Sequence, residues 1–502
     1  MTPGLTSARV LKRSVAWNAL GTVLPLVMAV VAVPLLINGL GQDRFGLLTI
    51  VWALVGYASL FDLGLGRALT LVVAARLGRM NVADTDAADQ TGGDLNALVW
   101  TALWLLLALG VLGALVLWAL APSLVAWIRT PEGLAAEAVT AFRVLAFGLP
   151  LVFVTSGLTG VLVALQRFDV ITAIRLPLSL VTTLGPVLTL LVSPSLVWIS
   201  ALMLGARVLS VAVFAWQLGR LRPDLVPPTQ PRRGLTRHLI GHGGWMTVTN
   251  VVGPLLSYLD RFFVGSVLGT AAVAWYVTPH EVLSKLIVIP GILLSVLFPA
   301  LATAYASDPV RAASLYKDAA VVLRHAMLPV CVLFLLFADE LLTLWIHADF
   351  AANAAPVARW LAVGVWINIL AHTPFAFLQG AGRADLSAKA HMAELLPYLA
   401  VLLWWTHAHG VAGAAAAWTA RALVDTLALN WLAARVHAPL APQVRREMLA
   451  MAAGLAVCAV CALLGPLWMR LTALLIISAH AGWHLRPYAR RLLPTGATAD
   501  AK

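Results

Sequence analysis

Long apolar runs recur along the whole of this chain, and they constrain its fold more than any motif does. A helix needs about 20 residues to cross roughly 30 Å of hydrocarbon. Inside hydrocarbon, backbone polarity leaves only helices or closed barrels. The runs lie near 14–37, 46–74, 97–120, 141–165, 171–193, 195–218, 239–265, 272–302, 319–338, 357–379, 386–407, 411–434, 449–466 and 470–485. They predict an all-α polytopic membrane protein of about 14 transmembrane helices. Composition agrees, with 61% hydrophobic and 11% charged residues, where a soluble domain carries roughly 25% charged. The formal net charge of +12 would suggest nucleic acid in a soluble chain. Here it reads as Lys and Arg holding loops on the cytoplasmic side.

The distribution of those cations tests the helix count. With the N-terminus in the cytoplasm, Arg44, Arg129, Arg143, Arg359 and Arg470 fall at the outer face. Arg67, Arg207, Arg261, Lys285 and Arg421 fall within spans, and every other one of the 34 Lys and Arg is cytoplasmic. Adding or removing one helix would scramble this asymmetry, so both termini are expected in the cytoplasm. The first run follows Arg9, Lys12 and Arg13 and is too long for a signal-peptide core, so it reads as an uncleaved span.

The chain also repeats itself. RVLAFG at 143–148 returns as RWLAVG at 359–364, and Arg167-Phe168-Asp169 as Arg383-Ala384-Asp385, both at an offset of 216. Ala206-Arg207-Val208-Leu209 returns as Ala420-Arg421-Ala422-Leu423 at an offset of 214. Trp17 and Leu40-Gly41 return as Trp245 and Leu268-Gly269 at an offset of 228. Ordered matches of this kind indicate duplication. Six spans is an even number, so the two copies enter from the same side and form parallel lobes around a central cavity. The predicted organisation is an N-terminal six-helix lobe over 1–220, a Pro- and Arg-rich cytoplasmic linker over 221–238, a C-terminal lobe over 239–435, and two additional helices with a tail over 436–502.

Ionisable groups inside a membrane are expensive, which makes each one a candidate for function. Thr247, Asn250, Pro254, Ser257 and Arg261 follow helical spacing and share one face of span 7. Asp260 adjoins Arg261, but the two diverge by roughly 100° around the helix, so each calls for a further partner. The face lines a cavity or forms a polar seam between helices. In span 8, Glu281 and Lys285 stand in the favoured i, i+4 order, as a self-contained bridge or as a cation available to an anionic ligand. Arg207 and Arg421 occupy matching positions in the two lobes. Asp425 lies one turn from Arg421 as a partner, whereas Arg207 has no acid within a turn. Asp62 and Arg67 sit in DLGLGR, whose glycines suit close helix approach, and a structural or gating role is expected there. The membrane-embedded cations are nearly balanced by Asp62, Asp260, Glu281, Glu394 and Asp425.

Other chemistries find little support. Cys331, Cys458 and Cys461 fall in apolar segments, and the CxxC pair reads as packed small hydrophobes. His407 and His409 form an HxH with no further ligand nearby in sequence, so no metal site is expected there. No Walker motif is present, no cofactor is called for, and the short loops leave no room for a soluble domain.

The most distinctive segments are Asn18 and PLLINGLG in span 1, FGLL and LFDLGLGRAL after it, and LDRFFVGSVLG running into VAWY. With these segments the chain resembles the bacterial oligosaccharide flippase, or polysaccharide transporter, family, within the superfamily that includes multidrug exporters and the lipid II flippase. The resemblance covers essentially the whole chain. It implies two helical lobes, alternating access, and movement of undecaprenyl-diphosphate-linked oligosaccharides across the bacterial cytoplasmic (inner) membrane for O-antigen, capsule or exopolysaccharide. It implies no enzymatic activity, lipid-linked oligosaccharide and membrane lipids as partners, and a glycan polymerase with its chain-length machinery as further ones. Arg261 matches the family's Asp-Arg pair; Arg207, Arg421 and Lys285 are added from their position in spans as cations for the diphosphate. Asp260, Glu281, Asn250, Ser257, Asn18, Asp62 and Asp425 are the expected polar, coupling or gating positions. An ion-coupled multidrug exporter is the nearest alternative. A membrane-embedded glycan polymerase or ligase would draw on Asp339, Glu340, His347 and Asp349 in the richest outer loop.

Overall fold

The structure, a computed structural model, describes residues 27–58, 65–80, 85–232, 235–236 and 258–492. Among these residues the chain is helical, with short 3-10 turns and no strand. Successive helices are α1 (Val27–Leu40), then α2 (Gln42–Ala58), α3 (Leu65–Met80), α4 (Thr85–Trp127), α5 (Glu132–Ala146), α6 (Gly148–Ala164), α7 (Phe168–Leu190) and α8 (Leu196–Leu221). Helix α9 covers 258–268. It is followed by α10 (Thr270–Ser284), α11 (Val288–Ser307), α12 (Pro309–Trp345), α13 (Ala348–Gly380), α14 (Ala384–Val436), α15 (Ala441–Ala462) and α16 (Leu467–Leu492). Several are longer than their apolar runs: the run at 97–120 lies inside α4, and 319–338 inside α12. Seven described helices, α5 and α6 counted as one, are long and apolar enough to cross a membrane. The chain forms two compact units, Met1–Ala274 and Trp275–Lys502.

In the first unit, α3, α4, α6 and α8 enclose a core that includes Leu69, Leu98, Leu106, Val161 and Phe214. Gly160 permits the contact between α6 and α3, since a Cβ there would lie 2.5 Å from the Gly66 carbonyl oxygen. The Thr70 hydroxyl bridges the seam, reaching the carbonyls of Gly66 and Gly160 at 3.0 Å each. Gly46 of α2 sits against the Thr270 backbone, and the Thr270 hydroxyl donates to Asp43 at 2.5 Å. The two segments that carry the family resemblance therefore meet at this contact.

The second unit is dominated by packing between α13 and α14. Thr419 and Thr426, a heptad apart on α14, donate to the carbonyls of Trp360 and Ile367 on α13 at 2.8 and 3.1 Å. The stretch Ala414–Ala417 near them is buried, and small residues let the two backbones approach. Helix α14 has 53 residues and is interrupted at Gly410 (φ 62°, ψ −148°). This separates the runs predicted at 386–407 and 411–434. Cys458 and Cys461 are buried with Val332 and Leu335, as packed hydrophobes.

Local geometry coincides at several positions that the sequence repeat pairs. Gly41 and Gly269 both have positive φ and donate to residues four back, Ile37 and Gly265, at 3.0 and 2.8 Å. Gln166 and Gly382 also correspond and both have positive φ, each ending a helix. The following Arg167 and Arg383 fork onto Asp169 and Asp385. A similar fork from Arg222 holds the Asp224 carboxyl below its ordinary range.

The five arginines assigned to the outer face all have partners. Arg44 pairs with Glu137 at 3.1 Å, Arg129 donates to the Val267 carbonyl at 2.8 Å, and Arg143 lies over the Trp118 ring at 4.4 Å. Arg359 pairs with Asp339, and Arg470 with Glu340 at 2.7 Å. His347 accepts the Phe350 backbone N–H at the start of α13. Asp339, Glu340 and His347, which a polymerase or ligase would use, thus carry structural contacts.

Candidate functional site

The halves of α14 fold back on one another, and this reversal builds the densest set of buried ionisable groups described in the second unit. Arg421 pairs with Glu394 at 3.2 Å, and His391 with Asp425 at 3.2 Å. The Arg421 and Glu394 side chains are 10% and 8% exposed. Arg421 also lies over Tyr398 and Trp418, 5.6 and 5.7 Å from their ring centroids. Beside the pair is a cavity of about 340 Å³, lined by Pro397, Tyr398, Val401 and Val424 together with Glu394 and Arg421. Its wall is otherwise apolar, and the charges on it are balanced.

The expected partnership of Arg421 with Asp425 is therefore corrected. On one helix the two stand a turn apart, but the hairpin brings Glu394 of the other arm to the guanidinium and leaves Asp425 to His391. Sequence reasoning missed His391. The available signal was spacing: His391 and Glu394 at i, i+3, facing Arg421 and Asp425 at i, i+4 on the next span.

The matching position in the first unit is built differently. Arg207 on α8 is half-buried, and its Nε has no hydrogen-bond partner. Its charged neighbour is Arg175, exposed on α7, the helix packed against α8. Arg175 corresponds to His391 at the offset of 216, Leu178 to Glu394 at the same offset, and Val211 to Asp425 at 214. Both acids of the second unit are thus replaced by apolar residues in the first. Among the described residues no acid pairs with Arg207 or Arg175. Two neighbouring guanidiniums without a carboxylate can bind a multivalent anion through forked hydrogen bonds.

Asp260 and Arg261 are buried at 0% and 4% exposure. The Asp260 carboxylate accepts the Arg261 backbone N–H at 2.8 Å, and the Arg261 guanidinium lies 4.8 Å over the Tyr258 ring. Glu281 and Lys285 pair with each other at 3.2 Å and are both substantially exposed. Asn18, Asp62, Asn250 and Ser257 lie outside the described residues, as does most of the polar stripe on span 7.

Known proteins resemble this chain in sequence and in fold. Residues 40–355 match the polysaccharide biosynthesis protein family. A Shigella flexneri protein provisionally named as an O-antigen transporter is 29% identical over 429 residues, covering 85% of this chain and 98% of its own. An inward-facing multidrug resistance transporter of the MATE family and MOP superfamily superposes with a TM-score of 0.68 at 16% identity, over 82% of this chain and 94% of its own. The lipid II flippase MurJ, in an inward closed conformation, gives a TM-score of 0.65 at 11% identity, over 95% and 100%. The chain has the fold of these transporters, and seven of its described helices are long and apolar enough to cross a membrane. It belongs to the polysaccharide biosynthesis protein family.

Proposed function

We propose that this protein flips oligosaccharides linked to undecaprenyl diphosphate from the cytoplasmic to the periplasmic leaflet by alternating access, supplying surface polysaccharide synthesis. The observation that carries the reading is Arg207, a half-buried cation within its span, with Arg175 near the cytoplasmic end of α7 as its charged neighbour and no acid paired to either among the described residues. Such an arrangement is costly unless an anion is there to receive it, and a diphosphate offers several oxygens to a guanidinium fork. Arg421 and Lys285, each already paired with a carboxylate, would bind substrate only when that carboxylate is protonated or displaced. The network of His391, Glu394, Arg421 and Asp425 then serves as a coupling or gating element, its net charge set by how many protons it holds. A glycan polymerase with its chain-length machinery would take up the flipped units.

A multidrug exporter is the second reading, favoured by the buried carboxylates Glu394 and Asp425 close to a largely apolar cavity. A strain lacking the gene separates the two. The flippase reading expects loss of surface polysaccharide, accumulation of cytoplasmic-facing lipid-linked units, rescue by wild type, and no rescue by Arg207→Ala at matched expression. Unchanged glycans with increased drug sensitivity would favour export instead.

A further inference from the structure

Helix α16 lies outside the internal repeat and runs antiparallel along α12. The seam is tied at one end by Arg470, which bonds Glu340 and the Leu336 carbonyl at 2.7 and 2.9 Å. At the other end the Tyr488 hydroxyl donates to Asp318 at 3.2 Å. One turn from that second tie, three histidines converge: His325 from α12, and His480 and His484 from α16. Ring centroids are 4.6 Å apart for His325 and His484, 4.5 Å for His480 and His484, and 5.7 Å for His325 and His480. One ring nitrogen of each lies within 4.8 Å of the other two.

Three features make this more than a stack of rings. First, His325 is buried at 7% exposure and its Nδ1 lies 2.9 Å from the Val321 carbonyl oxygen. A backbone carbonyl at Nδ1 fixes the proton there and leaves the Nε2 lone pair as a ligand, the outer-shell arrangement common around histidine-bound metals. Second, His480 and His484 are spaced i, i+4, so they project from the same side of α16. Both are exposed and make no protein hydrogen bond among the described residues, so their side chains are free to adjust. Third, the neighbouring Arg324 is paired with Glu447, which offsets its repulsion of a cation.

The geometry points to a divalent transition-metal site of the zinc class, formed by His325, His480 and His484, that fastens α16 to α12. Three imidazoles leave one position of a tetrahedral ion for water. Zinc–nitrogen bonds of about 2.0–2.1 Å place ligand nitrogens roughly 3.3 Å apart, so modest rotations of the two exposed rings close the set. Imidazole ligands suit zinc, copper and nickel and disfavour magnesium and calcium. The site is separate from the His391, Glu394 and Asp425 group and does not depend on what the transporter carries.

The test uses the full-length protein in detergent micelles, purified without a histidine tag. Cobalt(II) is titrated by its visible d–d absorption and then displaced with zinc. One equivalent of cobalt is expected, displaced by zinc, with a rise in thermal stability on metal addition. His480→Ala and His484→Ala, on the exposed face, should each weaken binding at least about tenfold and abolish the stability gain. His407→Ala, at the HxH of α14, should leave both unchanged. His325→Ala, where it folds, should match the two α16 variants, which decide the question by themselves. No stoichiometric uptake by wild type, or equal affinity in the His480 and His484 variants, would overturn the site.

Discussion

Arg421 and Arg207 occupy corresponding positions in the internal repeat, yet Arg421 is held by Glu394 at 3.2 Å and Arg207 has Arg175 for a charged neighbour. Substitution should separate them. Arg421→Ala leaves Glu394 buried without its counter-charge, which costs about 3–5 kcal/mol for a buried pair. The apolar double variant Arg421→Met with Glu394→Leu should recover most of that loss, because both desolvated charges go together. Arg207→Ala removes no ion pair among the described residues and should alter stability far less while abolishing glycan display. Thermal unfolding of the purified variants in detergent provides the comparison. A melting loss in Arg207→Ala as large as in Arg421→Ala would mean that Arg207 has a counter-charge after all.

Among the elements, α14 shows how one residue directs many. As a straight helix its 53 residues would extend about 80 Å at 1.5 Å per residue. Arg421 and Glu394 could not then meet. The reversal occurs at Gly410, whose φ of 62° and ψ of −148° lie in a region essentially reserved for glycine. Gly410→Ala is expected to cost about 1–3 kcal/mol and to loosen the Arg421–Glu394 contact. Lower thermal stability together with faster hydrogen exchange in 391–425 is the expected result; unchanged exchange would show that the turn tolerates a side chain. Close contacts elsewhere obey the same steric rule. Gly160→Val would force α6 away from the Gly66 carbonyl, an overpacking cost of about 1–3 kcal/mol that should appear as reduced yield of folded protein. Break positions such as 408–410 were legible because apolar runs end there. The backbone conformation that makes the break a reversal was not.

At the scale of the whole molecule, the positions that the sequence repeat pairs carry different charges in its two copies. At these paired positions the first unit has two arginines and no acid, and the second has one arginine among two acids and a histidine. If this asymmetry assigns the anion to the first unit, giving Arg207 an internal partner should block transport without unfolding the protein. Arg175→Glu is therefore expected to abolish surface polysaccharide at normal membrane abundance, with Arg175→Lys retaining part of it. Glycan display in the complemented strain reads both, and full display by Arg175→Glu would remove the anion site from this position.

Local sequence was enough for the membrane class, the all-helical fold and the family. These follow from hydrophobic run length, the sidedness of Lys and Arg, and short motifs, all of which are properties of neighbouring residues. It also made Arg207 conspicuous, because an acid within a turn is a local question. Which acid meets which base emerges only in the fold: Asp339 and Glu340 hold Arg359 and Arg470, and His325 meets His480 and His484. Those partners are distant along the chain, and their meeting depends on helix register and, for Arg421 and Glu394, on the reversal at Gly410. Apolar run length reports that a helix crosses the membrane; the packing of small residues against its neighbours decides which way its charges face.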